Sequence, residues 1–177
     1  MKYKTIYVDP PWNLSGGGKI KRGADKHYPL MQTQAIFDMK PFIEELSDDQ
    51  CHMYMWVTNN FLETGLKIMA HWEFKYITNI VWVKNQIGTG QYFRGQHEIL
   101  LFGRKGAPMP YKHIKNIPSV VFSNKANHSQ KPHEFYSIIE KVSYAPYIEL
   151  FARNKRENWD SWGNEIKSED TNSKGLF

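Results

Sequence analysis

The chain has 177 residues, 41% of them hydrophobic, which suits one domain with a substantial core and leaves little room for a second. Its net charge of +5 favours a polyanionic partner. A single cysteine, Cys51, excludes an internal disulfide, and no Cys/His pair has the spacing of a zinc site. No apolar run approaches the roughly 20 residues that span a bilayer, and a strand follows Met1 without a leader segment. We therefore expect a cytoplasmic domain over residues 1–166, without metal or membrane, and a polar tail over 167–177.

Six short runs rich in β-branched and aromatic residues, each bounded by turn residues, predict strands. They cover residues 3–8, 51–57, 77–83, 97–102, 119–122 and 147–151. Strands that alternate with helical segments indicate an α/β layered fold with a largely parallel sheet. The third and fourth runs are joined by loop alone, which allows this one pair to be antiparallel.

Three apolar stripes with helical spacing lie between these strands, and they start at Ile36, Leu62 and Phe135. Pro41 interrupts the first stripe and predicts two separate helical pieces, because proline breaks the hydrogen bonding of a helix interior. Thr33 is the predicted N-cap of the first piece. Pro132 suits the first turn of the third helix.

Two long polar loops follow predicted strands, over residues 13–32 and 84–96. Loops of this length in a small domain are usually functional or disordered, and ligands of open α/β sheets bind beyond the carboxyl ends of strands. The first loop contains three consecutive glycines and a basic cluster formed by Lys19, Lys21, Arg22 and Lys26. In or beside the second loop lie Lys84, Arg94, His97 and Glu98. Each of these residues alone is more often a solvated surface side chain, but together with the basic cluster they form a candidate rim for a nucleic-acid backbone.

The first predicted strand ends in Asp9-Pro10-Pro11-Trp12. As structure alone this is a tight turn, since prolines commonly end strands. As chemistry, the cluster joins a carboxylate, a rigid backbone that offers only acceptors, and a flat aromatic ring. Such a cluster suits a flat ring that carries donor hydrogens, and the exocyclic amine of adenine meets this requirement. These residues are therefore the predicted catalytic set, namely Asp9, Pro10, Pro11 and Trp12.

The adenine amine is a poor nucleophile because its lone pair is delocalised into the ring. Two acceptors that hold its hydrogens, the Asp9 carboxylate and the Pro10 carbonyl, favour a pyramidal nitrogen with an available lone pair. Stacking on Trp12 would fix the plane of the base, at about 1–3 kcal/mol per base. Positioning and electrostatics then carry most of the catalysis, and no strong general base is required. Whether Asp9 takes the proton stays open at this stage.

Further blocks accompany this turn, in the order MYMWVTN, IVWVKN, GQHEILLFGRKG, HSQKP, IELFAR and WGNE. With them the chain resembles, from about residue 5 to about residue 166, the DPPW-type adenine-N(6) methyltransferases. That family includes the catalytic subunit of the eukaryotic messenger-RNA adenosine methyltransferase and bacterial and phage DNA enzymes. The resemblance implies a Rossmann-like methyltransferase sheet flanked by helices, S-adenosylmethionine (SAM) as methyl donor, and the permuted beta-class motif order with the catalytic turn first.

The same resemblance implies a set of donor-binding residues, which are Asp9, Pro10, Lys131, Phe151, Arg153, Asn154, Asn164 and Glu165. Lys131 is the cation expected beside the donor carboxylate or the neighbouring backbone. Asn164 and Glu165 match the positions that bind the ribose hydroxyls, which suits their acceptor oxygens. The segment 114–119 is expected to hold the donor's adenine. Taken alone, Lys131 is an ordinary lysine beside a helix start, and Phe151 is as readily a core aromatic.

On the substrate side, the resemblance implies that the catalytic turn and both polar loops border the target base. The residues concerned are Trp12, Asn13, Lys19, Lys21, Arg22, His27, Tyr28, Lys84, Arg94, His97 and Glu98. Asn13, His27 and Tyr28 are expected to close over the base. A base inside a duplex has to be flipped out before it can reach Asp9.

The main hypothesis is therefore a SAM-dependent methyltransferase of adenine in DNA, from a bacterial or phage-infected cell, acting as monomer or homodimer with short or loose sequence specificity. The same reaction on RNA is the alternative, because both polymers present the same adenine. A catalytically silent nucleic-acid-binding subunit is a third hypothesis, against which the intact Asp9 turn argues. Carbon-5 methylation of cytosine is disfavoured because it needs a nucleophilic cysteine, and Cys51 opens an apolar run.

Overall fold

The computed structural model describes residues 1–12, 31–90, 92–109, 112, 116–123 and 131–163. Within these ranges seven strands form one sheet. They are β1 (Tyr3–Val8), β2 (Ser47–Val57), β3 (Lys75–Val83), β4 (His97–Lys105), β5 (Val120–Phe122), β6 (Tyr147–Leu150) and β7 (Trp159–Trp162). All six predicted strands are confirmed with bounds that shift by a few residues, and β7 is an additional strand.

The spatial order of the strands is β5-β3-β4-β2-β1-β6-β7. β1 pairs in parallel with β2 and β6, β6 with β7, and β3 with β5, whereas β4 runs antiparallel to both β2 and β3. The antiparallel pairing of β3 with β4 agrees with their connection by a loop without a helix. Six strands therefore end, and β4 begins, at one border of the sheet, which we call the carboxyl edge.

Four helices are described, α1 (Thr33–Phe37), α2 (Lys40–Leu46), α3 (Leu62–His71) and α4 (Glu134–Val142), with a single 3-10 turn at Asn59–Phe61. Pro41 lies in the first turn of α2, so the predicted division of the first stripe is confirmed. The predicted N-cap was wrong by one residue, because Gln32 has the extended dihedrals of a cap and Thr33 is already helical. No described helix has the length and apolarity that crossing a bilayer demands.

Alternate residues of the central strands point to opposite faces of the sheet, as the period of a strand requires. Val8 belongs to a core cluster with Ile68 of α3, whereas Tyr7 belongs to a second cluster with Phe135 of α4. Side chains of α1 and α2 join the first cluster, so α1, α2 and α3 cover one face and α4 covers the other. Asp9 follows Tyr7 by two positions, and its side chain lies on the α4 face, where it shares a pocket with α4 residues.

Candidate active site at the carboxyl edge

The predicted catalytic turn lies directly after β1, at the centre of the sheet. The Trp12 N–H donates to the Pro10 carbonyl at 2.8 Å, which closes a three-residue turn, and the Met31 N–H donates to the Pro11 carbonyl at 3.0 Å. Prolines permit this geometry because neither backbone nitrogen needs a partner. The turn is therefore held on both sides, and Asp9 projects from it as a partly buried carboxylate.

The side chain of Trp12 anchors this turn in the protein interior. It is 7% exposed, its indole N–H donates to the Trp56 carbonyl at 3.0 Å, and its ring stacks on Phe61 with centroids 4.9 Å apart. The indole N–H of Trp56 in turn donates to the Tyr7 hydroxyl at 2.6 Å. The ring thus has a clear structural role, while its stacking on a substrate base stays a prediction.

A chain of alternating charges extends from Asp9 across the carboxyl edge. Lys131 Nζ lies 2.7 Å from Asp9 Oδ2 and 3.3 Å from Glu98 Oε2, and the other oxygen of Glu98 pairs with Lys84 Nζ. Lys131 also lies 5.2 Å from the centroid of the Trp56 ring. The side chain of Lys131 is only 13% exposed, so it is a buried, doubly paired cation. The alternative that it is an ordinary exposed lysine is therefore excluded.

These contacts decide how readily each group holds its charge. Burial acts to lower the pKa of Lys131, but Asp9 and Glu98 outweigh it and raise that pKa above its ordinary value. Burial acts to raise the pKa of Glu98, but Lys131 and Lys84 outweigh it and lower the pKa. For Asp9, burial prevails over Lys131, and its pKa is raised. Asp9 is thus the carboxylate of this cluster whose pKa is raised, whereas that of Glu98 is lowered.

A pocket opens beside Asp9 between the end of β6 and the start of α4. Four of the predicted donor-binding residues line it together with Asp9, namely Lys131, Phe151, Arg153 and Asn154. The first lies just before α4, and the other three follow β6. Residues separated by more than 120 positions in the sequence therefore meet at one pocket because β1 and β6 are parallel neighbours.

Five further pocket residues were not predicted from the sequence, namely His133, Tyr136, Glu149, Lys155 and Arg156. Glu149 lies in β6 and accepts a hydrogen bond from the Tyr136 hydroxyl at 2.9 Å, and the Arg156 guanidinium lies 4.4 Å from the centroid of the Tyr136 ring. Burial, with a contribution from Asp9, raises the pKa of Glu149 to about 7, although the Tyr136 hydrogen bond acts against it. The sequence does contain a signal for Glu149, because it is a charged residue inside the apolar run YIELF.

The backbone turns sharply where β6 ends. Phe151 has a φ of +62°, a left-handed conformation that is uncommon for a bulky residue. This bend lets the Ala152 N–H donate to the Trp162 carbonyl at 3.0 Å, while a Cβ on Gly163 would collide with the Ala152 backbone. Phe151 itself packs edge-on against Trp162 and also lines the pocket. It is therefore both a packing residue and a pocket residue.

Comparison with known proteins agrees with this geometry. The family model of MT-A70 matches residues 3–165. The chain belongs to the MT-A70 family. The resemblance inferred from the catalytic turn and its accompanying blocks is thereby confirmed, as is the α/β methyltransferase fold, and methyltransferase activity is supported.

Relatives of this MT-A70 chain differ in size and name. The type II methyltransferase M.MunI of a Mycoplasma species is 28% identical over an alignment that covers 93% of this chain and 78% of that protein. The N(6)-adenosine-methyltransferase catalytic subunit METTL3 of Homo sapiens is 28% identical over 93% of this chain and 28% of its own length. The N(6)-adenosine-methyltransferase MT-A70-like protein of Arabidopsis thaliana is 28% identical over 98% of this chain and 25% of its own length. The chain thus spans about a quarter of the last two relatives.

The predicted substrate-side residues are only partly described in this MT-A70 chain. Lys84, His97 and Glu98 are half-buried at the carboxyl edge, whereas Arg94 is exposed and its Nε donates to the Gly88 carbonyl at 2.7 Å. Several predicted residues lie outside the described ranges, namely Asn13, Lys19, Lys21, Arg22, His27, Tyr28, Asn164 and Glu165. Of the segment 114–119, residues 116–119 are described, and the tail 167–177 lies outside the described ranges. Among described residues, no group of three or more His, Cys, Asp or Glu side chains is arranged to hold a metal ion.

Proposed function

We propose that this chain is a SAM-dependent methyltransferase that methylates the exocyclic 6-amino group of adenine in DNA. The observation that carries the proposal is the position of Asp9. Its carboxylate projects from a turn held at both ends, is paired with Lys131 at 2.7 Å, and borders a pocket at the carboxyl edge. Membership of the MT-A70 family supports the same reaction.

The charges of the pocket fit the methionine end of SAM. That end carries an ammonium, a carboxylate and a sulfonium, and the pocket brings acidic Asp9 and Glu149 together with basic Lys131 and Arg153. Glu149 is buried enough to hold a raised pKa, which a nearby ligand cation would offset. We assign the ammonium to the acidic side and the carboxylate to the basic side. When bound, SAM supplies an electrophilic methyl group.

The aromatic and polar ends of the pocket complete this assignment. Phe151 provides an apolar wall beside Asp9, and Asn154 offers an amide at the exposed rim. Asn164 and Glu165 follow β7 in the sequence, and β7 is the parallel neighbour of β6. We assign them to the ribose hydroxyls of SAM, as the resemblance implies.

The acceptors of the catalytic turn suit the target amine. Lys131 occupies Oδ2 of Asp9, so we assign one amine hydrogen to Oδ1. The Pro10 carbonyl already accepts the Trp12 N–H, and a carbonyl oxygen has a second lone pair for the other amine hydrogen. These two acceptors orient the nitrogen lone pair towards the pocket. The alkylated amine is strongly acidic, so its proton passes to Asp9 or to solvent without a strong base.

DNA is the polymer that we propose, because the chain spans 78% of its type II methyltransferase relative. RNA is the alternative, and relatives named as N(6)-adenosine-methyltransferases favour it. The net charge of +5 suits either polyanion. The geometry of Asp9 and Pro10 concerns the base alone and applies equally to both polymers.

The test is identification of the product. The protein is incubated with methyl-labelled SAM and with DNA and RNA oligonucleotides of matched sequence, which are then digested to nucleosides and separated. We expect N(6)-methyladenine as the labelled product, with the faster rate on DNA. A faster rate on RNA would support the alternative polymer, and methylcytosine as the sole product would contradict the proposal altogether.

A further inference from the structure

The loop between β3 and β4 carries an aromatic tip that has no role in the site described above. Tyr92 is fully exposed and Phe93 is 88% exposed, so both rings stand in solvent. Large aromatic side chains gain most from burial and are enriched where a partner covers them. We call this pair the aromatic tip, and its exposure requires an explanation.

The aromatic tip is supported by a hydrogen-bonded hairpin. The Lys84 N–H donates to the Gln96 carbonyl at 2.8 Å, the Gly88 N–H to the Gly95 carbonyl at 2.7 Å, and the Arg94 Nε to the Gly88 carbonyl at 2.7 Å. Only Gln91 of this loop lies outside the described residues. The backbone is therefore tied together along its length.

The turn of this hairpin also shows an uncommon backbone. Tyr92 adopts a φ of +56°, and a Cβ on Gly90 would collide with the Phe93 carbonyl. A left-handed conformation costs a non-glycine residue of order 1 kcal/mol or more. The turn is thus tight and strained, and it exposes the rings of Tyr92 and Phe93 to solvent.

The base of the hairpin is the active site itself. Glu98, the second residue of β4, is paired with both Lys84 and Lys131, and Lys131 is paired with Asp9. Glu98 lies five positions after Phe93, which limits the distance between them to about 18 Å. About five stacked base pairs span that distance. A duplex that delivers a base to Asp9 is therefore within reach of the aromatic tip.

The charge of the hairpin identifies the kind of partner. Residues 84–96 include Lys84 and Arg94 and no acidic residue. Two copies of this hairpin would bring the exposed Arg94 side chains of both copies together, which argues against self-association through it. A polyanion whose interior consists of stacked aromatic rings matches both the charge and the aromatic surface.

We propose that the aromatic tip is a wedge that enters the base stack of duplex DNA and stabilises the flipped-out state of the target adenine. The proposal rests on the proposed function, since it presupposes that a base leaves the duplex. Apolar side chains inserted between base steps unstack them and compensate for the lost stacking. The exposed Arg94 then contacts an adjacent phosphate.

The test compares the double variant Tyr92→Ala/Phe93→Ala with the wild type on two substrates, a fully paired duplex and its target strand alone. We expect kcat/KM on the duplex to fall about tenfold or more, and kcat/KM on the single strand to fall less than about threefold, because an unpaired base needs no wedge. The conservative variant Tyr92→Phe/Phe93→Leu should recover most of the duplex activity. Ile77→Ala, which truncates an exposed apolar residue near the opposite end of β3, is the matched control.

A second readout is independent of methyl transfer. A duplex with 2-aminopurine at the target position is titrated with protein, and its fluorescence should rise with the wild type and with Ile77→Ala but not with the double variant. The wedge would be overturned if the double variant lost kcat/KM equally on the duplex and on the single strand. It would also be overturned if the double variant kept the duplex activity and the fluorescence rise of the wild type. A change from dimer to monomer in sedimentation would also overturn it, in favour of self-association. A wild type that flips the base but methylates no adenine would contradict the proposed function and leave the wedge supported.

Discussion

Lys131 Nζ lies 2.7 Å from Asp9 Oδ2, and this contact joins the turn after β1 to the residue two positions before the N-cap of α4. The pair stands between the pocket and the Glu98–Lys84 pair, so it connects the proposed donor side with the proposed substrate side. Asp9 is the only acidic residue of the catalytic turn. A cation that does not belong to that turn therefore opposes the effect of burial on the pKa of Asp9.

Lys131→Met should move the acid limb of the pH–rate profile to higher pH. Burial already raises the pKa of Asp9, and Lys131 is the largest influence acting against that rise. Without the cation the pKa of Asp9 rises further, so the ionised carboxylate that we propose to hold the amine forms only at higher pH. The measurement is kcat at saturating SAM and oligonucleotide from about pH 5 to about pH 9.

Lys84→Met is the matched control for this shift, because Lys84 pairs with Glu98 on the side away from Asp9. It removes one positive charge from the same cluster and should leave the limb nearly where it is. If both variants shift the limb equally, the effect is one of overall charge and the specific role of the Lys131–Asp9 pair is refuted.

Asp9→Asn should lower kcat by about 10²-fold or more while it weakens SAM binding less than Asn164→Ala does, since the amide keeps the shape of the side chain and loses only its charge. Asn164→Ala should show the reverse pattern, with weaker SAM binding and a smaller effect on kcat at saturating SAM. Calorimetry and single-turnover rates measure the two quantities separately. Equal losses of SAM affinity in both variants would mean that Asp9 belongs to the donor site alone.

Affinity for SAM should rise as the pH increases through about 7, the raised pKa of Glu149. Above that value the carboxylate is ionised and attracts the cationic groups of the donor, whereas below it the group is neutral. Glu149→Gln should remove this pH dependence and weaken binding at about pH 8 by up to about tenfold, with little change at about pH 6. Calorimetric titration in buffers of equal ionic strength measures the SAM affinity of both proteins at each pH. If Glu149→Gln keeps the pH dependence of the wild type, Glu149 lies outside the donor site.

Trp12→Ala should lower the free energy of unfolding by about 3–5 kcal/mol, the usual cost of truncating a large buried aromatic. Its ring is buried against Phe61, and its N–H satisfies the Trp56 carbonyl. Urea denaturation measures this cost. An unchanged unfolding curve together with a raised KM for the oligonucleotide would instead favour the stacking of Trp12 on the target base.

The parts of the fold that follow a hydrophobic pattern could be predicted, and those that depend on tertiary contacts could not. Strand β1 and the division at Pro41 follow from β-branched runs and proline chemistry. Strand β7 was missed because WDSW alternates weakly and is recruited by its parallel neighbour β6. Likewise, the family resemblance indicated Lys131 as a donor-side cation but not its pairing with Asp9, and nothing local to these residues indicates the Glu98 bridge between Lys131 and Lys84.

His52 gives a pH dependence of stability that is independent of the active site. Its Nδ1 lies 2.7 Å from the Ser143 hydroxyl, its ring packs against Phe102, and the side chain is 8% exposed. Burial, assisted by the positive charge of Arg104, lowers its pKa to about 4. As the pH falls, His52 is therefore protonated near pH 6.5 in the unfolded chain but only near pH 4 in the folded chain. Stability is lost as the pH falls through this window, by up to about 3 kcal/mol.

The variant His52→Gln isolates this contribution, because every other acid-sensitive group is common to both proteins. The free energy of unfolding is measured by urea denaturation at about pH 7.5 and at about pH 4, and the difference between the two pH values is compared. We expect the wild type to lose about 3 kcal/mol more than the variant over this interval. Because the glutamine side chain does not titrate, equal losses would show that His52 is protonated as readily in the folded protein as in the unfolded chain.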